Sequence, residues 1–328
     1  MRVLAGDIGG TKTRLGIFEV EGADCRPVEE RSYPSREYEG LEEIVVDFVG
    51  SRGGGCRTAC FGIAGPVAGR QVRVTNLPWV VDAADLERCS GIPAVALIND
   101  LEATAWGIPA LHEKRLTVLN AGEAGAVGNG AVIAAGTGLG EAGIYWDGET
   151  SKPFACEGGH ATFSPTDLLE DRLLHFLRDV HGHVSWERVL SGPGLADLFR
   201  FMLEEADEKE PGWFVEAERA GDPVPAISRA ALDGYHETAF QTLELFAMFY
   251  GEEAANLALK LMATGGVWIG GGIAPKILPF LENGAFMEGF LAKGRMQPLL
   301  EKMPVKVILE DRAALLGAAK YAADMVSG

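Results

Sequence analysis

Apolar positions open the chain in two short runs, residues 2–8 and 14–20, around the polar, Gly-rich GDIGGTKT of Gly6–Thr13. The second run, Arg14-Leu15-Gly16-Ile17-Phe18-Glu19-Val20, alternates imperfectly and carries Ile, Phe and Val. Such residues suit a pleated, half-buried surface, and a Gly inside the run weakens a helix. The pattern predicts a β-hairpin that turns at the glycines. Residues 132–146, VIAAGTGLGEAGIYW, repeat it, ending at the turn signal Asp147-Gly148. Gly10-Thr11-Lys12 lines up with Gly136-Thr137-Gly138, and Gly16-Ile17 with Gly143-Ile144, the two offsets differing by one residue. The repeat predicts an internal duplication: two hairpins, each with a turn of phosphate size.

CFGIAGPV (60–67), QVRVTNLPW (71–79) and VALIND (95–100) read as strands, and LEATAWGIPALHE after Asp100 as a helix. Beyond the second hairpin the apolar period turns helical over 167–180, 185–210 and about 225–263. GGVWIGGGI (265–273) is a short strand closed by three glycines, 305–310 a last strand, and RAALLGAAKYAADMV a closing helix rich in small residues. EEADEKE (204–210) reads as a solvated helix end or loop, and His181-Gly182-His183 as a loop, because no third metal ligand accompanies the pair.

The strand after each glycine turn changes the chemistry that the turns suggest. GDIGGTKT is one residue from the G-x-x-x-x-G-K-[ST] phosphate loop, with Thr11 in place of the second Gly, but that loop must open a helix. GTGLG meets the same objection as a dinucleotide motif.

The 328 residues suggest about two domains. No apolar run approaches the ~18 residues of a membrane span. The first residues lack the layout of a secretory leader. Five scattered cysteines fit reduced thiols in the cytoplasm better than a disulfide framework. A net charge of −18 disfavours nucleic-acid and anionic-membrane partners. It leaves room for a nucleotide held by backbone N–H groups in a pocket.

GDIGGTKTRLGIF, IAGPVAG, TNLPW, LINDLEATAWGI, AAGTGLGEAGI, EGGHATFSP, ERVLSGPGL and GGVWIGGGIAPKI, in this order, resemble the ATP-dependent bacterial glucokinases of the non-ROK group. These belong to the sugar kinase, actin and heat-shock ATPase superfamily. The Cys-rich zinc motif of the ROK group does not follow His160. The resemblance covers nearly the whole chain. It implies an α/β, two-domain actin-like ATPase (ribonuclease H-like) fold with a central cleft, divided as 1–110 plus 305–328 and 111–304.

It also implies roles for individual residues. Gly6, Asp7, Ile8, Gly9, Gly10 and Thr11 would bind the nucleotide, with Gly9, Gly10 and Thr11 letting the backbone approach the γ-phosphate and Lys12 adding a charge. Asp7, an anion, makes sense there only with Mg²⁺ as intermediary. Gly136, Thr137 and Gly138 would hold the β/γ-phosphates, and Gly270, Gly271 and Gly272 would let adenosine approach the backbone. Asp100 would be the general base, although a strand-Asn-Asp-helix sequence equally suits a helix cap. Asn99, Glu157, His160 and Glu187 would bind the sugar, the last also readable as a first-turn helix acid. Thr75 and Asn76 are further ligand candidates.

The implied reaction is ATP-dependent phosphorylation of D-glucose at O6 with Mg²⁺, coupled to cleft closure, in a cytoplasmic homodimer. Another hexose or polyphosphate as donor are the alternatives within enzymes. A non-catalytic sugar sensor or an assembling actin-like ATPase are the alternatives outside hexose kinases.

Overall fold

The opening hairpin forms: Arg2–Ile8 and Lys12–Glu21 pair antiparallel, with Ile8 opposite Thr13. In this computed structural model residues 1–22 and 24–326 are described, 51–53 by backbone alone; residues 23, 327 and 328, the last two within the expected 305–328 segment, lie outside. Two units divide the chain, one of 1–116, 152–155 and 310–328, the other of 117–151 and 156–309.

The first unit's five-stranded sheet runs Asp24–Pro34, Lys12–Glu21, Arg2–Ile8, Thr58–Ile63, Val95–Asn99. The last three strands are parallel. Alternation along Arg2–Ile8 feeds two apolar layers, Leu4 and Ile8 on one face, Val3 and Ala5 on the other. A parallel strand covered on both faces reads as the near-continuous apolar run seen in the sequence. Helices Leu41–Val49 and Ala83–Ser90 contribute to the first layer, and Asp100–Gly107 and Ala313–Asp324 to the second. The last two pack backbone to backbone: a Cβ at Gly107 would strike the Ala313 carbonyl, and one at Gly317 the Ala103 carbonyl.

The second unit repeats the arrangement. Gly130–Ala135 and Leu139–Trp146 form an antiparallel hairpin, and Gly266–Gly270 and Val305–Ile308 continue in parallel beside Gly130–Ala135. Leu116–Asn120 and Ser151–Cys156 complete a six-stranded sheet. Its core is filled by the helices between Leu168 and Leu291, including the 25-residue Glu237–Leu261.

Several expected elements change. Val305–Ile308, assigned from sequence to the first domain, pairs with Gly266–Gly270 and belongs to the second unit's sheet. QVRVTNLPW is a strand only over Gln71–Arg73, because Asn76 takes φ +68° and Pro78 follows. The 185–210 segment starts its helix at Gly192, where Ser191 caps the Gly194 N–H and Pro193 fits the first turn. The 225–263 run breaks into Val224–Leu232 and Glu237–Leu261 at Asp233-Gly234, with Gly234 at φ +68°. His181 ends helix Leu168–His181 rather than lying in a loop, and its Nε2 pairs with Asp197 at 2.8 Å.

Candidate active site

In the first unit, candidate groups gather at the C-terminal ends of the three parallel strands, where open α/β sheets bind ligands. Asp7 is the penultimate residue of the first strand, Gly62 is its register partner on the next, and Ile63 pairs with Asn99 on the third. Gly62 is the only residue type that fits there, since a Cβ would lie 2.7 Å from the Ala103 Cβ of the helix that Asp100 begins.

Asn99 caps that helix, its Oδ1 accepting from the N–H groups of Leu101 (2.9 Å) and Glu102 (3.3 Å). Asp100 is thus the first helical residue rather than the cap, with Oδ1 3.0 Å from the Leu101 nitrogen. The Asn99 Nδ2 donates to the Gly65 carbonyl at 3.4 Å. That ties the strand end to the IAGPVAG loop.

Asp7 is half-buried, and its carboxyl is pushed up to about 6. Burial is the main cause and the Asp100 carboxylate the next; Arg14, opposite in register, and Lys12 oppose the shift. A half-buried acid raised in part by a neighbouring carboxylate marks a site that favours a cation.

Residues 9–12 make the first turn, closed by the Gly9 N–H to the Lys12 carbonyl at 3.1 Å. Ser35 pins it from behind. Its hydroxyl donates to the Gly9 carbonyl at 2.8 Å and meets the Thr13 hydroxyl at 2.9 Å, and its N–H donates to the Thr11 carbonyl. Gly10 faces Thr75-Asn76; a Cβ there would stand 3.1 Å from the Asn76 Cβ. Asn76 holds a left-handed backbone conformation that non-Gly residues adopt at a cost, a type of strain that gathers at functional loops.

In the second unit, the turn 136–138 is one residue tighter, closed by the Gly136 N–H to the Gly138 carbonyl at 2.8 Å. Gly271, at φ +83°, packs so closely on the Ala135 carbonyl that no Cβ fits. The Ile273 N–H donates to that same carbonyl at 3.2 Å. The GTG and GGG turns therefore lie side by side at the ends of two parallel strands. Tyr250 locks both: its buried hydroxyl accepts the Ala135 N–H at 2.8 Å and donates to the Gly270 carbonyl at 3.0 Å.

Glu157, His160 and Glu187, separated by up to 30 positions, come together here. The His160 ring nitrogens stand 3.9 Å from Glu157 Oε2 and 3.9 Å from Glu187 Oε1. His160 and Glu157 are exposed and Glu187 partly so. The short turn Gly158–His160 aims the first two, and Glu187 sits on the turn Trp186–Arg188.

Ser35 and Tyr250 were not legible as site residues in the sequence. Each acts through backbone groups distant in the chain, and neither belongs to a motif. Among the described residues no cluster of three or more His, Cys, Asp or Glu forms a metal site, and no helix is long and apolar enough to cross a membrane.

Duplicated sheets with glycine turns and acids at the strand ends define a two-domain actin-like ATPase of the sugar-kinase class. The chain belongs to the glucokinase family: the family model described as Glucokinase matches residues 4–325. The glucokinase of Trichormus variabilis is 42% identical over a 340-residue alignment covering 98% of each chain. A crystal structure of glucokinase from an Antarctic psychrotroph superposes with a TM-score of 0.86 at 31% identity, covering 98% of this chain and 99% of that one. A ROK family glucokinase from Streptomyces griseus, in complex with glucose and AMPPNP, has a TM-score of 0.66 at 22% identity over 99% of this chain and all of that one, a likeness of fold alone.

Proposed function

We propose that this protein transfers the γ-phosphoryl group of ATP to the 6-hydroxyl of D-glucose, giving ADP and glucose 6-phosphate. The observation that carries the reading is Asp100 at a parallel strand end. Its carboxylate is held on a rigid element while Asn99 takes over the capping of the helix.

Phosphoryl transfer passes through a loose transition state, so catalysis is mainly positioning and charge stabilisation. The sugar oxygen forms a bond to the γ-phosphorus as the bond to the leaving β-phosphate oxygen breaks, and the hydroxyl proton passes to Asp100. A carboxylate of ordinary basicity suffices because that proton leaves late. Backbone N–H groups of the 9–12 and 136–138 turns, other than those of Gly9 and Gly136 that close them, receive phosphate oxygens, and the open backbone at Gly271 and Gly272 receives the adenosine. Glu157, His160, Glu187 and the amide of Asn99 take the sugar hydroxyls, each of which both donates and accepts.

Asp7 fits a Mg²⁺ ion. Its carboxyl is raised by burial first and by Asp100 next, a strain that a cation relieves. The ion would supply neutralisation of phosphate charge. A homodimeric state and a cytoplasmic location complete the proposal, on the strength of the family resemblance.

A coupled ADP-release assay across glucose, mannose, fructose, galactose and N-acetylglucosamine tests it, with a polyphosphate arm in place of ATP. Glucose with ATP should give the highest kcat/KM. A site that pairs each hydroxyl penalises an inverted or missing one by about 1–3 kcal/mol per unpaired group. Preference for another sugar or for polyphosphate would overturn the substrate assignment and leave the fold untouched.

A further inference from the structure

Beneath the sugar-facing turn lies a pair of acids that the reaction does not use. Glu141 is 1% exposed and Glu253 fully buried. Glu141 sits on strand Leu139–Trp146, in register with Ile133, and Glu253 on helix Glu237–Leu261. Each leaves its Oε1 without a hydrogen-bond partner among the described residues. Glu253 Oε2 accepts from the Asn256 amide at 2.8 Å, and the largely exposed Lys260 ammonium stands 3.9 Å from Glu253 Oε1. Two ionised carboxylates here would repel each other with two buried oxygens unsatisfied. A single proton removes both faults: the acid O–H of one donates to the other's oxygen, and one negative charge remains, facing Asn256 and Lys260.

Glu141 also touches the turn. Its Oε2 packs against Gly158 so tightly that a Cβ there would collide with it, and a Cβ at Gly159 would collide with the Leu139 carbonyl at the start of the Glu141 strand. Gly158 and Gly159 carry Glu157 and His160 on either side.

We propose that Glu141 and Glu253 share one proton, and that this acid–carboxylate bond fixes the Gly158–Gly159 turn, making Glu141 a positioning residue for the hexose-binding Glu157 and His160. The proposal rests on the sugar-kinase reading above. It deepens that reading by giving the sugar site a buried protonation switch. Burial first and the Glu253 carboxylate second push the Glu141 carboxyl up to about 8. Other groups face the pair. Lys260 and Tyr250 share the Glu253 helix, and Cys156, its thiol raised mainly by burial, precedes the turn. Lys293 also acts on Glu253, and Glu252 beside it is itself pushed up to about 7, mainly by burial and then by Glu170. As pH rises through about 8 the shared proton goes to solvent, the two carboxylates repel, and the oxygen against Gly158 moves.

Measure KM for glucose and for ATP from pH 7 to 9 in the wild type, E141Q and E253Q. In the wild type the glucose KM should rise several-fold across pH 8 while the ATP KM stays level. In E141Q the glucose KM should stay flat, because the amide N–H replaces the shared proton permanently. E253Q donates from the other side and serves if E141Q does not fold. An infrared band of a protonated carboxyl at pH 7, lost in either variant, reports the proton without any turnover. If no hexose is bound but the band is present and lost as stated, the sugar-kinase reading fails and the shared proton stands. An absent band, or a wild-type-like pH rise retained in both variants, overturns the proposal.

Discussion

The Glu187 carboxylate accepts the backbone N–H of Leu139 at 3.0 Å, tying an acid proposed to bind the sugar to the first residue after the 136–138 glycine turn. A Cβ at Gly138 would collide with that same Oε2. Gly138→Ala therefore forces Glu187 to give up the Leu139 bond. A hydrogen bond to a charged group is worth about 1.5–3 kcal/mol, so the glucose KM should rise about tenfold or more. An unchanged glucose KM in this variant would remove Glu187 from the sugar site.

Asp100→Ala should lose roughly 10²–10⁴ in kcat, the usual contribution of a general base, while still binding glucose by calorimetry. Asp100→Asn should behave alike, keeping the shape without the basicity. Helix Asp100–Gly107 should survive in both, because Asn99 provides the cap. Near-normal kcat in either variant would place the base elsewhere.

Asp7 gives a pH signature. Its folded-state carboxyl titrates near 6, above the ordinary 3.8, so its contribution to stability is fully present below about pH 4 and is lost as pH rises to 6. At pH 7 the ligand-free protein bears that cost. Asp7→Asn should raise the unfolding free energy by about 1–2 kcal/mol at pH 7 and by much less at pH 4, while abolishing most phosphotransfer. Urea unfolding at the two pH values checks it; equal effects at both would show that the carboxyl is not strained.

Tyr250→Phe removes the hydroxyl that joins the Ala135 N–H to the Gly270 carbonyl. An unsatisfied buried amide costs about 1–3 kcal/mol. The GTG and GGG turns should loosen together, raising the KM for ATP several-fold with the glucose KM nearly unchanged. A rise confined to glucose would contradict the assignment of these turns to the nucleotide.

The sequence by itself determined the duplicated hairpins, because alternation of apolar residues around Gly9-Gly10 and Gly136-Thr137-Gly138 leaves the backbone few other ways to turn. It also determined Asp100 as the residue at a strand-to-helix junction, and the run of motifs that marks the family. These are local properties: period, turn chemistry and spacing. Tertiary structure decided the rest. Val305–Ile308 could have joined either sheet on its apolar pattern; pairing beside Gly266–Gly270 settled it. The split of capping between Asn99 and Asp100 depends on which oxygen reaches Leu101 and Glu102, and spacing does not encode that. Ser35, Tyr250, Glu141 and Glu253 are buried polar side chains whose partners come from distant parts of the chain. Their partners lie 26 positions away for Ser35 and Gly9, and 115 for Tyr250 and Ala135. A buried polar group is defined by what surrounds it in space, so only the packed fold reveals it.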